Sequence, residues 1–501
     1  MQQGRGRRAG GYQAAGNKLA GRPSIQFGEG RRCRHRLRKP HRQSAPPFTV
    51  ISPPASTACQ PLTAVQWRLA ILVTVTWGFI IFDTDGIGAR LYPFVWRPRN
   101  IITVDQYAVI QALQVGLGIL LGAYLMSWVA DRYGRRVAIL LATLLGGICI
   151  WPFAYVTSFW GMVFLSVLST LGAGGIITTQ AVYLSEMTSS AIRNKVLLAS
   201  QGVTALVAGS VNLLAFWLIP DYWQAYLWVG AGFLIVVLLP LLIWLLPESP
   251  RWLETHGLHT EAERAVSGFE ERCCRASGRP LPEPDQDMHP VVVAEKGAWQ
   301  EIFRNPQYRG RTIVALICWL LGYAGMIYGS GAFAAVYMVD HGATAHFVFL
   351  TFVVGSVVVF FAFQVNARIS EGIERRDVMC AMACLFAATF VVVYLAPNLW
   401  IIAGFFVLSR IGVSLWLFNL YNYTAVAYPT RIRATAFAWT DGLGHLGAWG
   451  GVTLLGPLYA WGPNHLGWFL WLLIPGSVIP AIVIRTFGVK QSRVVLEQVS
   501  T

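Results

Sequence analysis

Charge is what this chain has least of. Only 13% of its 501 residues are Asp, Glu, Lys or Arg, 55% are apolar, and the mean hydropathy is +0.51. An average soluble domain carries about 25% charged residues, so this composition excludes a water-soluble fold of this length. Paired cysteines are also lacking. The eight cysteines are scattered, with no C-x-x-C spacing and no neighbouring His in a metal pattern, which excludes a disulfide framework and a zinc site. No H-E-x-x-H, G-x-S-x-G or P-loop occurs, so the common hydrolase and nucleotide-handling chemistries have no footing. Asp83-Thr84-Asp85 imitates a metal-binding D-x-D but sits in an apolar run without further ligands, and Gly116-x-Gly118 reads as helix packing. We expect no enzyme, no metal and no cofactor.

Acid is nearly absent from the first 60 residues, where twelve Lys or Arg face the single Glu29 and hold +11 of the total charge of +15. Without apolar periodicity, residues 1–64 read as a disordered basic cytoplasmic tail, without the apolar core of a signal peptide. Such a tail either touches anionic lipid headgroups or is a dispensable extension. The rest of the chain is nearly neutral, and nucleic acid is not an expected partner.

What is present is a series of apolar runs of about 20 residues, the length that crosses a bilayer. They fall near 67–89, 107–129, 137–156, 160–184, 196–219 and 224–246, then near 312–337, 345–367, 378–396, 399–426, 434–459 and 466–487. The expected fold is an all-α membrane protein of twelve transmembrane helices in two six-helix bundles, residues 65–246 and 309–489. A linker at 247–308 joins them, with an amphipathic helix near 260–271, and residues 490–501 form a short tail. Lys and Arg cluster after even-numbered spans, at Arg132, Arg135 and Arg136, at Arg193, at Arg375 and Arg376, and at Arg431 and Arg433. The positive-inside rule then places both termini in the cytoplasm, with Arg97 and Arg99 dissenting in the first outer loop.

The halves repeat. Asp131, Arg135 and Arg136 correspond to Glu371, Arg375 and Arg376 at an offset of 240, and Tyr183 and Arg193 correspond to Tyr423 and Arg433 at the same offset. A fixed offset in separate loops indicates a duplicated six-span unit and a carrier that rocks about a site between its halves.

Ser127-Trp-Val-Ala-Asp-Arg-Tyr-Gly-Arg-Arg136 resembles the loop signature of the major facilitator superfamily. Pro247-Glu-Ser-Pro-Arg-Trp-Leu253 is similar to the motif after span six in its sugar-porter and metabolite:proton symporter branches, and Tyr428-Pro-Thr-Arg-Ile-Arg-Ala-Thr435 to the metabolite symporters. Phe82-Asp83-Thr84 resembles part of a motif of aromatic-acid:proton symporters, with Ile80 in place of its first acid. Ser127, Ser166 and Val426 depart from the usual pattern. The resemblance implies the major facilitator fold and a functional monomer in the cytoplasmic membrane that moves a small molecule with protons. It also implies a conformational latch of Asp131, Arg132, Arg135, Arg136, Glu186, Arg193, Glu248, Arg251, Glu371, Arg375, Arg376, Arg431 and Arg433. The expected pairs are Asp131 with Arg135, Glu186 with Arg193 and Glu248 with Arg251.

Ionisable residues inside spans are costly and line cavities. Asp83 is the first candidate for proton coupling and Asp441 the second, with His445 four residues on along the same helical face. Asp85 either shares that role or sits at the outer mouth. Arg410, near the middle of span ten, either grips a substrate carboxylate or partners a buried acid. Gln180, Tyr328, Trp416 and Asn419 are candidate lining residues. A small organic anion is the expected substrate, with a sugar or polyol as the alternative, and a non-transporting sensor is the rival from another class.

Overall fold

The computed structural model describes residues 64–84, 87–188, 193–278, 298–369, 372–428 and 430–490, and among these no strand occurs. In hydrocarbon every backbone N–H and C=O must be paired within its own segment, and helices meet that demand. Among the described residues, ten helices are each long and apolar enough to cross a bilayer. They are spans two to ten, Val104–Tyr133, Arg135–Ala154, Phe159–Met187, Ala199–Leu218, Trp223–Leu245, Pro306–Asp340, Ala345–Ile369, Arg375–Leu395 and Leu399–Thr424, and span twelve, Pro463–Phe487.

Two crossings complete the expected twelve. Span one is described over Ala64–Thr84 and over 87–96, where it ends in the π turn Tyr92–Trp96. Span eleven runs as Thr430–Thr453 and then Leu455–Ala460. Its Asp441, His445 and glycines dilute the hydropathy that marks the others. Spans one and seven, and spans six and twelve, occupy equivalent places in the two halves, and each contains a π turn. The amphipathic linker helix is present and longer than expected, His259–Ser277, with Ala262, Val266, Phe269 and Cys273 buried.

Small residues set the closest crossings, since lipid offers helices no hydrophobic drive to associate. A Cβ on Gly174 of span four would stand 2.2 Å from the carbonyl oxygen of Ile119 in span two, and one on Gly122 would stand 2.3 Å from that of Leu171. The Thr170 hydroxyl, which donates to the Ser166 carbonyl of its own helix at 2.6 Å, lies 3.2 Å from the carbonyl of Gln114 across the same crossing.

The halves meet along spans five and eight, where Gly202 faces Phe360 and Gln364, and Phe216 meets His346 edge to face at 4.8 Å. Spans two and eleven meet away from the linker, Gly116 lying under Trp449 and Gly456 against Asp105. Hydrogen bonds also cross between the halves on this far side. Arg97 donates to Asp340 at 2.6 Å, and Tyr107 donates to the carbonyl of Ala332 at 2.7 Å.

Candidate substrate and proton site

The linker-side charges form around the start of span three. Gly134, at φ 110° and ψ 156°, precedes the helix Arg135–Ile150, whose first N–H groups have no intrahelical acceptor. The Glu248 carboxylate supplies one, accepting from the backbone N–H of Arg135 at 2.9 Å, of Arg136 at 3.2 Å and of Ser249 at 2.8 Å. Burial pushes the Glu248 carboxyl above its ordinary range, against the pull of those N–H donors. The Pro247 to Leu253 motif thereby clamps the Asp131 to Arg136 motif. Tyr183 donates to the carbonyl of Pro247 at 2.8 Å, Trp252 to that of Asp131 at 2.9 Å, and Ser249 to the Glu186 carboxylate at 2.5 Å.

Of the expected pairs, Asp131 with Arg135 forms at 3.0 Å. Glu186 meets Arg135 at 3.4 Å, and the side chain of Arg193 lies outside the described residues. Glu248 with Arg251 is corrected. The carboxylate is taken by the N–H groups of the helix start, and Arg251 Nε is buried without a hydrogen-bond partner. Arg132 lies over the ring of Tyr133 at 5.9 Å.

The second half repeats this plan. Arg136 donates to the carbonyl of Ile243 near the end of span six, and Arg376 donates to that of Gly488 after span twelve. Tyr423 accepts from the backbone of Val489 as Tyr183 meets Pro247. Arg375 is half-buried, with one guanidinium nitrogen unpartnered. Glu371 and the side chains of Arg431 and Arg433 lie outside the described residues.

A second cluster lies at mid-depth. Asp441 follows Thr430 by about 16 Å of helix rise, in a helix that starts four residues earlier than expected. Its carboxylate accepts the Tyr323 hydroxyl at 2.7 Å, and that hydroxyl lies 3.2 Å from the one on Tyr421. His445, four residues on along the same helical face, lies beside Asp441. His445 Nδ1 lies 3.0 Å from the Asp441 backbone carbonyl, the usual reach from i to i−4, and its ring packs 4.5 Å from Tyr323. Around the half-buried Asp441, Trp319, Tyr323, Tyr328, Tyr421 and Phe437 form a wall with neighbouring ring centroids 4.8 to 6.3 Å apart.

Arg410 is exposed on span ten, three turns from Tyr421 on the same face, beside Gly355 of span eight. A guanidinium facing acyl chains is costly, so ionisable residues within spans usually face a cavity or the bundle interior. Gln180 is buried on span four with its amide oxygen unpartnered, and the same holds for the Gln201 oxygen on span five. Trp416 and Asn419, expected as lining residues, are packed inside the second half. Trp416 fills the space left by Gly322, and Asn419 bonds the carbonyl of Leu415 at 2.7 Å. Asp83 falls on the first helix with its side chain outside the described residues, and Asp85 lies outside them altogether.

Sequence reading missed three residues. Tyr323 and Tyr421 gave no signal apart from their span positions. Arg90 follows the expected end of span one, yet it is buried and donates through Nε to Asn212 of span five at 2.8 Å.

Residues 62–452 match the family model described as Major Facilitator Superfamily. The chain is 26% identical over 438 residues to the 4-hydroxybenzoate transporter PcaK of Pseudomonas aeruginosa, covering 84% of this chain and 91% of that one. It is 25% identical over 444 residues to the protein of the same name from Acinetobacter baylyi, covering 84% and 90%. A solved structure described as a D-xylose-proton symporter superposes with a TM-score of 0.63 at 16% identity, covering 84% of this chain and 97% of that chain.

Proposed function

Because the chain belongs to the Major Facilitator Superfamily and is therefore a multi-pass transporter rather than an enzyme, we propose that it carries a small aromatic carboxylate together with a proton by alternating access. The observation that carries this reading is the half-buried Asp441 accepting Tyr323 within a wall of aromatic rings, with Arg410 exposed on the same side of span ten. An aromatic solute stacks on such a wall, and a guanidinium grips its carboxylate in a bidentate way. The relatives named for 4-hydroxybenzoate fit the same chemistry.

The linker side is cytoplasmic in this proposal, in keeping with the loop arginines. Asp441 takes up the transported proton, with Asp83 as a second acid. While ionised, Asp441 accepts from Tyr323; once protonated it is itself a donor, so the local hydrogen bonds reverse. The loss of charge lowers the cost of enclosing the site, and the conformational equilibrium follows whichever state binds proton and solute better. Linker-side contacts around Glu248 and Arg135 hold the first half rigid as it rocks.

Uptake of 4-hydroxybenzoate into proteoliposomes with an imposed pH gradient tests this reading. Accumulation that needs the gradient and vanishes in Asp441→Asn supports it, whereas gradient-driven accumulation retained in Asp441→Asn removes Asp441 from the mechanism. A second reading, a sugar or polyol, is favoured by the unpartnered amide oxygens of Gln180 and Gln201, which accept hydroxyl donors. Competition by a neutral polyol, with none by benzoate, supports it. Ligand binding without any flux supports a sensor.

A further inference from the structure

Arg97 and Arg99 dissent from the charge rule, and the structure gives each a partner. Arg99 lies over the ring of Trp223 at 5.9 Å. Arg97, in the turn after span one, reaches across to Asp340 at the end of span seven, so this ion pair joins the two halves on the far, outer side.

Asp340 serves more than Arg97. Its Oδ1 accepts from Arg97 at 2.6 Å, while its Oδ2 accepts the Tyr459 hydroxyl at 2.8 Å and faces His465 Nε2 at 3.6 Å. The His465 ring stacks on Tyr459, centroids 3.8 Å apart and planes 16° from parallel. Its Nδ1 lies 2.8 Å from the Tyr459 backbone carbonyl. A carbonyl only accepts, so Nδ1 carries a hydrogen there and Nε2 is the ring nitrogen left facing the carboxylate. Asn464 and His465 hold left-handed backbone, φ 49° and 59°, and this tight turn aims the ring. The other titratable groups around the cluster are Tyr92 of span one, Asp105 at the start of span two, and Tyr337 and His341 at the end of span seven.

We propose that Asp340 is the shared counter-ion of a proton-released outer gate, held shut by Arg97 and opened when a proton from the outer solution binds His465 Nε2. The charged imidazole and Arg97 then compete for one carboxylate. Arg97 alone belongs to the other half, so compensating Asp340 from within the second half weakens the only partner of this set that spans the gap. By linkage, proton binding at His465 favours the state in which Arg97 has left. Histidine is the side chain that changes charge between about pH 5 and 8, so outer acidification presents an open site just when protons are plentiful. The gate requires neither an identified solute nor proton symport.

Amide hydrogen exchange of the purified full chain, without substrate, tests this. Exchange in the outer segments around 98–102 and 341–344 is compared at about pH 5.5 and about pH 7.5 after correction for intrinsic rates. In the wild type it rises about fivefold on acidification, the ratio that about 1 kcal/mol gives at room temperature. His465→Gln exchanges slowly at both pH values. Arg97→Gln and Asp340→Asn exchange fast at both, with protection across span four unchanged as the control for folding. A wild type without an acid response, or a His465→Gln protein that keeps one, overturns the proposal.

Discussion

Replacing Gly134 with alanine probes the joint between the two linker-side motifs. The residue sits at φ 110° and ψ 156°, a region nearly closed to any residue with a Cβ, at a cost of about 1 to 3 kcal/mol. A Cβ there would also stand 2.2 Å from Oε2 of Glu248 and 2.8 Å from its Cδ. The carboxylate must retreat from the N–H groups of Arg135 and Arg136, and each hydrogen bond to a charged acceptor is worth about 1.5 to 3 kcal/mol. The strain and one such bond together give about 2.5 to 6 kcal/mol. Denaturant unfolding of purified protein measures it, and a cycle with Glu248→Ala separates the parts. In the Glu248→Ala background only the strain of about 1 to 3 kcal/mol should remain. An equal cost in both backgrounds would refute the role of the carboxylate, and a cost below about 0.5 kcal/mol in the wild-type background would refute the strain as well.

Burial holds the Glu248 carboxyl above its ordinary 4.5, so the folded chain binds that proton more tightly than the unfolded one. Its contribution favours the fold below pH 4.5 and is lost as pH rises through the raised value, so unfolding titrations should show wild type losing stability relative to Glu248→Gln in that window alone. Asn212→Ala removes the acceptor of the buried Arg90 and should cost about 1 to 3 kcal/mol in the same unfolding assay, with Asn212→Asp recovering most of it. Tyr323→Phe takes away the donor to Asp441 while keeping the ring, so the pH profile of uptake should shift and solute affinity change little; an unchanged profile speaks against a coupled pair.

Most of the fold was legible because hydrocarbon demands long apolar runs, and eleven of the twelve spans advertise themselves in that way. Span eleven was found despite Asp441 and His445, since Arg431 and Arg433 before it and Gly462-Pro463 after it mark its ends. Reading span one as ending at residue 89 put Arg90 outside the membrane, whereas helix continues past it through Leu91 into the π turn Tyr92–Trp96. Facing was harder. An apolar helix has no polar stripe to orient it, so Trp416 and Asn419 could be assigned to span ten but not to its packed side. Partners distant in sequence were out of reach, as with Tyr323 and Asp441, which are 118 residues apart. Nearness in sequence misled for Glu248 and Arg251, because the helix start that claims the carboxylate lies 113 residues earlier.

Proton-coupled transport at the Asp441 site is most directly tested by comparing net accumulation with exchange in proteoliposomes. The account predicts that Asp441→Asn loses gradient-driven accumulation of 4-hydroxybenzoate yet still exchanges internal for external solute, since exchange needs no net proton movement. Accumulation driven by the pH gradient to the wild-type level in Asp441→Asn would contradict it.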